Sequence, residues 1–162
     1  MPRITALLHT HNDALRLGRC LETLHPCDDI LIIDRDSLDS TVHVARDYGA
    51  RVVREVAGAS PDHYLRSALV TGVATWILCL DPRESLTEGL AASLFEWKSE
   101  SDSSPAACSV FLREETAEGW IDVPAPQTRL VPPNWNRWNG TIPILEPSAP
   151  TLEGELLRFV FP

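Results

Sequence analysis

Residues 74–90 read "ATWILCLDPRESLTEGL", and the parsing of this stretch decides the fold. An apolar run over 77–80 stops abruptly at Asp81. Pro82 and Arg83 break the chain, and the spacing after Ser85 predicts a helix capped by Ser85 or Thr87. A continuous apolar run reads as a strand buried on both faces. Such a strand has no structural need to end on a carboxylate, so Asp81 marks an edge that faces something polar.

Working outward, the same design recurs upstream. "RITALLH" (3–9) is a short buried strand that runs into the polar cluster His9, Thr10, His11, Asn12 and Asp13. "THNDALRLGRCLETL" follows as a helix started by Asn12 or Asp13. "DILIID" (29–34) is a second buried strand, closed by Asp34. The helix "SLDSTVHVARDYG" has Ser37 or Asp39 near its cap and Gly49 at its stop, and "ARVVREV" is a third strand. "DHYLRSALVTGV" is helical and leads into "TWILCLD" (75–81), the fourth strand. Alternating strands and helices predict a mostly parallel sheet with helices on both faces. Ligands bind such sheets beyond the carboxyl ends of the strands. The polar cluster at 9–13, Asp34 and Asp81 should therefore converge on one rim.

Past residue 100 the pattern changes. "SDSSP" is a loop, "AACSVFLREE" and "GWIDV" form a hairpin, and the tail from 124 carries most of the thirteen prolines. That tail is read as irregular, with short strands at "QTRLV" and "RFVF". The 162 residues fit one domain. Residues 1–100 form its alternating strand–helix half, and 101–162 a hairpin and Pro-rich tail.

Bulk properties narrow the function. A net charge of −9, with Lys98 the single lysine, argues against a nucleic-acid binder. It leaves room for a small phosphorylated ligand met by one or two arginines. Four cysteines show no CxxC pair and no metal-ligand rhythm, which favours reduced thiols in a cytoplasmic protein. No signal-like start and no apolar run of about 20 residues is present, so no transmembrane segment is expected.

The ordered motifs resemble the family 2 glycosyltransferases, nucleotide-sugar enzymes of the GT-A fold. "LLHTHNDA" is similar to that family's first strand and turn. "IIDRDSLDSTVHVARDYGARVV" keeps Asp34, Ser37, Asp39 and Thr41 of the second. "WILCLDPRESLTEGL" is similar to a strand that ends Asp-x-Asp-Glu, with Arg83 where the second Asp stands. "QTRLVPPNWNRWNG" resembles the lipopolysaccharide-core type through Arg129, Leu130, Arg137, Trp138 and Gly140. Pro143 and Ile144 stand where a His-Glu pair follows in that family.

The resemblance implies a GT-A-like α/β domain transferring a sugar from a nucleotide-diphospho-sugar donor to a glycan or lipid-linked acceptor. A cell-envelope role and an inverting mechanism belong to the same implication. Thr10, Asn12, Asp13, Asp34, Ser37 and Asp39 would line the nucleotide site, although Asp34 and Asp39 also suit a helix cap. Asp81 with Glu84 would hold magnesium or manganese against the diphosphate. Arg83, Arg129 and Arg137 would contact phosphate, and a permanent guanidinium at Arg83 suits partial replacement of the metal. Asp122 and Glu115 are candidates for the base that deprotonates the acceptor. His9 and His11 would line the pocket, and Trp135 and Trp138 suit stacking on a sugar face or packing at the sheet edge. The departures at Arg83 and at the His-Glu pair equally fit a relative that binds a nucleotide or protein partner without turnover.

Overall fold

The computed structural model describes residues 2–68, 75–100 and 105–161. Four parallel strands build its first half: β1 (Arg3–Thr10), β2 (Asp29–Asp34), β3 (Arg51–Arg54) and β4 (Thr75–Leu80). Their period-two alternation divides the core. Ile4, Ala6, Leu8, Ile32, Leu78 and Leu80 face one layer; Leu7, Leu31, Ile33, Ile77 and Cys79 face the other. The first layer is closed by α1 (Ala14–Leu21), α2 (Thr41–Asp47) and α4 (Glu88–Ser99), through Leu17, Cys20, Ala45, Leu90 and Leu94. Opposite them α3 (Pro61–Ala68) contributes Tyr64 and Leu65.

The remaining strands are β5 (Glu84–Leu86), β6 (Cys108–Thr116), β7 (Gly119–Asp122), β8 (Gln127–Val131), β9 (Trp138–Asn139), β10 (Ile142–Pro143) and β11 (Thr151–Arg158). Hydrogen-bonded order along the main sheet is β3-β2-β1-β4-β8-β6-β11-β5, with β7 paired to β6. One sheet thus joins the two halves read from the sequence. It is mixed rather than mostly parallel, because β8 runs antiparallel to both β4 and β6, and β5 antiparallel to β11. The hairpin β6–β7 forms as expected.

Two local expectations change. Residues 84–86 form a strand rather than a helix start, since β11 captures them as an edge partner. Thr87 then caps α4: its hydroxyl accepts the Leu90 N–H and donates to the Glu155 carbonyl. The last strand is Thr151–Arg158, not 158–161, because its pairing with β6 starts at Thr151. Gly154 permits this packing; it has φ +88, and a Cβ there would lie 2.3 Å from the Leu90 nitrogen. The predicted helix over 62–73 is seen to Ala68, and its remainder lies outside the described residues, as does the loop at 101–104.

Lys98 is buried at the end of α4, where it donates to the Pro26 carbonyl and pairs with Asp28 at 2.9 Å. Asp28 in turn accepts the Ile4 N–H, which ties the helix to the start of β1. The lone lysine is a structural clamp.

Candidate functional site

The register places Thr10 beside Asp34, and Leu8 beside Leu80. The carboxyl ends of β2, β1 and β4 therefore share one rim, as the alternation of elements predicts. Two βα turns rise from it, and each contains a non-glycine residue with positive φ, Asn12 at 53° and Asp36 at 45°. Asn and Asp tolerate this conformation better than other residues with a Cβ.

Side chains lock the turns together. Ser37 Oγ accepts the Asn12 N–H, and Asn12 Oδ1 accepts the Leu38 N–H. Thr41 Oγ1 accepts the Asp13 N–H, while Asp39 accepts the Ala14 N–H and both donors of Thr41. Asp34 sits beneath them, 6% exposed, accepting from the Thr10 hydroxyl (2.7 Å) and from the hydroxyl and N–H of Ser37 (2.6 and 3.0 Å). Burial works against its charge, yet these donors hold the carboxyl below its ordinary range. Asp34 and Asp39 thus spend their oxygens on the turns. Of the six residues expected at the nucleotide, Thr10 and Asp13 reach the cavity wall; Asn12, Asp34, Ser37 and Asp39 shape the turns behind it.

The cavity holds about 370 Å³. His9, Thr10, His11 and Asp13 line it from β1 and its turn, with Arg16 from α1. Arg35 and Glu55 reach it from just past β2 and β3; Asp81, Pro82 and Arg83 close it from the end of β4, and Thr141 from the tail. Both predicted pocket histidines are present. His9 touches Tyr64 edge-on and burial lowers its pKa to about 4, so it is neutral at physiological pH. Arg16 sits 3.5 Å from Asp13. Arg35 forms no ion pair among the described residues. It and Arg16 went unread in the sequence, although Arg35 directly follows the strand-ending Asp34 and Arg16 lies one helical turn from Asp13. Glu55 and Thr141 carried no such signal.

Asp81 and Arg83 form a two-pronged pair. Nε of Arg83 donates to Oδ1 at 2.9 Å and Nη2 to Oδ2 at 3.2 Å, while the Arg83 N–H adds a third bond at 2.9 Å. Burial disfavours the Asp81 charge, but the Arg83 donors outweigh it and keep the carboxyl below its ordinary range.

Glu84, only three residues from Asp81, is fully buried. Arg129, also 0% exposed, grips both its oxygens at 2.6 and 2.9 Å, and Arg158 adds a bond at 3.0 Å. Glu84 also accepts the Asp81 N–H, and Arg129 donates to the Cys79 carbonyl. Two expectations are corrected here. Glu84 is sealed away from any metal, and Arg129 from any phosphate, because β5 and β8 point these charges into the sheet, where each satisfies the other.

The other candidates also lie elsewhere. Arg137 pairs with Glu146 and stacks over Trp135, outside the cavity. Trp135 is 6% exposed and packs against the second core layer, and Trp138 packs beside it. Asp122 pairs with Arg113 across the hairpin, and Glu115 accepts the Phe161 N–H. Neither carboxylate reaches the cavity that holds Asp81. The chemistry for magnesium or manganese was expected from Asp81 and Glu84. With both Asp81 oxygens held by Arg83 and Glu84 sealed, the residues as arranged do not fit such an ion. Among the described residues no group of three or more His, Cys, Asp or Glu side chains could hold one.

This architecture is that of known proteins. No protein-family profile matches the chain. The structure of S. aureus TarS residues 1–349 superposes with a TM-score of 0.57 over 76% of this chain and 38% of that one, at 15% identity. The same protein in complex with UDP gives 0.52 over the same shares at 16% identity. The chain therefore has the GT-A fold of glycosyltransferases. By sequence it is 32% identical over 92 residues (56% of this chain, 32% of the relative) to an uncharacterised glycosyltransferase of Rickettsia felis. It is 27% identical over 131 residues (80% and 31%) to a TPR repeat-containing protein of Synechococcus elongatus. The chain spans about a third of the length of the curated relatives it matches. Among the described residues no helix is long and apolar enough to cross a membrane.

Proposed function

We propose that this chain is the donor-binding domain of a family 2-type glycosyltransferase, which moves a sugar from a nucleotide-diphosphate donor to a hydroxyl of a glycan or lipid-linked acceptor. The observation that carries this reading is the 370 Å³ cavity at the carboxyl ends of β1, β2 and β4 in a GT-A fold. The nucleoside lies over the locked turns, against Thr10, Asp13 and Arg35. The diphosphate points toward Asp81 and Arg83. UDP in the TarS complex, a neighbour by fold, supports a uridine nucleotide as the first ligand to try.

Transfer then needs an acceptor oxygen to attack the anomeric carbon opposite the departing diphosphate, which inverts that centre. The rigid turns hold the donor in one orientation, so positioning and charge stabilisation carry the rate. Residues 101–162 form the acceptor side, and a cell-envelope glycan in contact with the cytoplasm is the acceptor class we favour. Four unpaired cysteines support a reducing compartment.

Calorimetric titration with UDP, GDP and CMP tests the reading. Binding of one nucleotide diphosphate is expected, weakened about ten-fold in Arg35→Ala by loss of a charge-assisted hydrogen bond. No heat with any of the three refutes it. Donor hydrolysis assays then separate an enzyme from a relative that binds without turnover, a reading favoured by the saturation of Asp81.

A further inference from the structure

We propose that the Asp81–Arg83 pair is the protein's own substitute for a carboxylate-held divalent cation: Arg83 takes the donor diphosphate, and Asp81 aims the guanidinium instead of ligating a metal. The inference rests on the nucleotide-diphosphate reading of the cavity and asks which cation meets the phosphates.

A guanidinium carries five N–H donors in a rigid plane. Arg83 spends Nε and one Nη2 hydrogen on Asp81. Its other donors have no partner among the described residues. The side chain remains 39% exposed and lines the cavity. Asp81 therefore fixes the orientation of the fork and leaves its remaining N–H groups for phosphate oxygens, which guanidinium binds with good geometry.

A divalent ion at Asp81 meets three obstacles. It must displace the three hydrogen bonds that Arg83 makes to that carboxylate. It would then sit beside a permanent positive charge, at an unfavourable Coulomb energy. It also finds no second carboxylate, since Glu84 is sealed by Arg129 and Arg158.

The charges lining the cavity balance formally, Arg16, Arg35 and Arg83 against Asp13, Glu55 and Asp81. Geometry rather than net charge favours an anion at the β4 end, where Arg83 lines the cavity with N–H groups to spare while both oxygens of Asp81 are taken. Asp81 is bound by Arg83, and Asp13 by the His11 N–H and Arg16. Glu55 lies past β3, with β2 and β1 between it and β4.

The experiment is calorimetric titration of UDP and GDP into the full chain, once with EDTA and once with manganese. Wild-type affinity is expected to agree between the two buffers within about two-fold. Arg83→Gln should weaken binding about ten-fold in both, the loss typical of hydrogen bonds to a charged group. Arg83→Asp rebuilds a second carboxylate two residues after Asp81, and should bind manganese alone and bind the nucleotide only in its presence. Thermal melts of both variants confirm that they fold. Wild-type binding that requires manganese, or an Arg83→Gln variant that binds as wild type does, overturns this inference and leaves the nucleotide reading intact. No nucleotide binding in either buffer removes both.

Discussion

Two carboxylates three residues apart, Asp81 and Glu84, each carry an arginine, and their fates differ. Asp81 and Arg83 sit at the lip of the cavity with side chains 32% and 39% exposed, whereas Glu84 and Arg129 are both at 0%. The first pair is local, closed within one turn. The second joins residues 45 apart and is completed by Arg158, from the far strand β11. What separates them is water. At the lip, an ion pair gains little stability and keeps donors available for a ligand. Inside the sheet the same chemistry has no solvent to fall back on, so it is structural and costly to break. The sealed pair also serves the open one, because Glu84 accepts the Asp81 N–H and fixes the turn.

The largest expected effect lies on the sealed side. Glu84→Gln leaves the Arg129 guanidinium buried without a counter-charge, and denaturant unfolding should show a loss of about 3–5 kcal/mol. A loss below about 1 kcal/mol would mean that water reaches the pair, and the contrast would fail.

His9 probes how dry the cavity wall is behind its lip. Its folded pKa, lowered by burial from 6.5 to about 4, means that the unfolded chain takes up a proton first as pH falls. The stability it contributes is complete above about pH 6.5 and is lost progressively down to pH 4, amounting to about 3 kcal/mol. Unfolding midpoints measured across that window should fall in the wild type and fall less in His9→Gln; parallel curves would show a solvated ring.

The smallest effect belongs to the open pair. Asp81→Asn should change stability by no more than about 1 kcal/mol, because both partners are solvent-screened. A loss of Glu84 size in the same unfolding experiment would erase the distinction between the two regions.

Much of the frame was legible in the residues. "DILIID" and "TWILCLD" declare buried parallel strands, and their terminal acids had to emerge at the rim where such strands end. Thr87 was readable as a cap and "GWIDV" as a hairpin partner. The site was less legible. Asp34 stands at that rim, but whether its oxygens face a ligand or the Ser37 turn depends on loop geometry that a motif does not encode. Glu84 read as a metal ligand and Arg129 as a phosphate contact, since nothing near either in sequence announces the other.

The sequence by itself determined the alternation of elements, the two layers of the core and the polar rim, because these follow from periodicity and from the need to bury continuous apolar strands. Tertiary structure alone decided which charges stay in water. Long-range pairing of β11 with β5 and β6, and of β8 with β4, enclosed Glu84 and Arg129 while leaving Asp81 and Arg83 at the cavity. Burial is a property of the assembled sheet, and it sets whether an acid beside an arginine is a brace or a binding site.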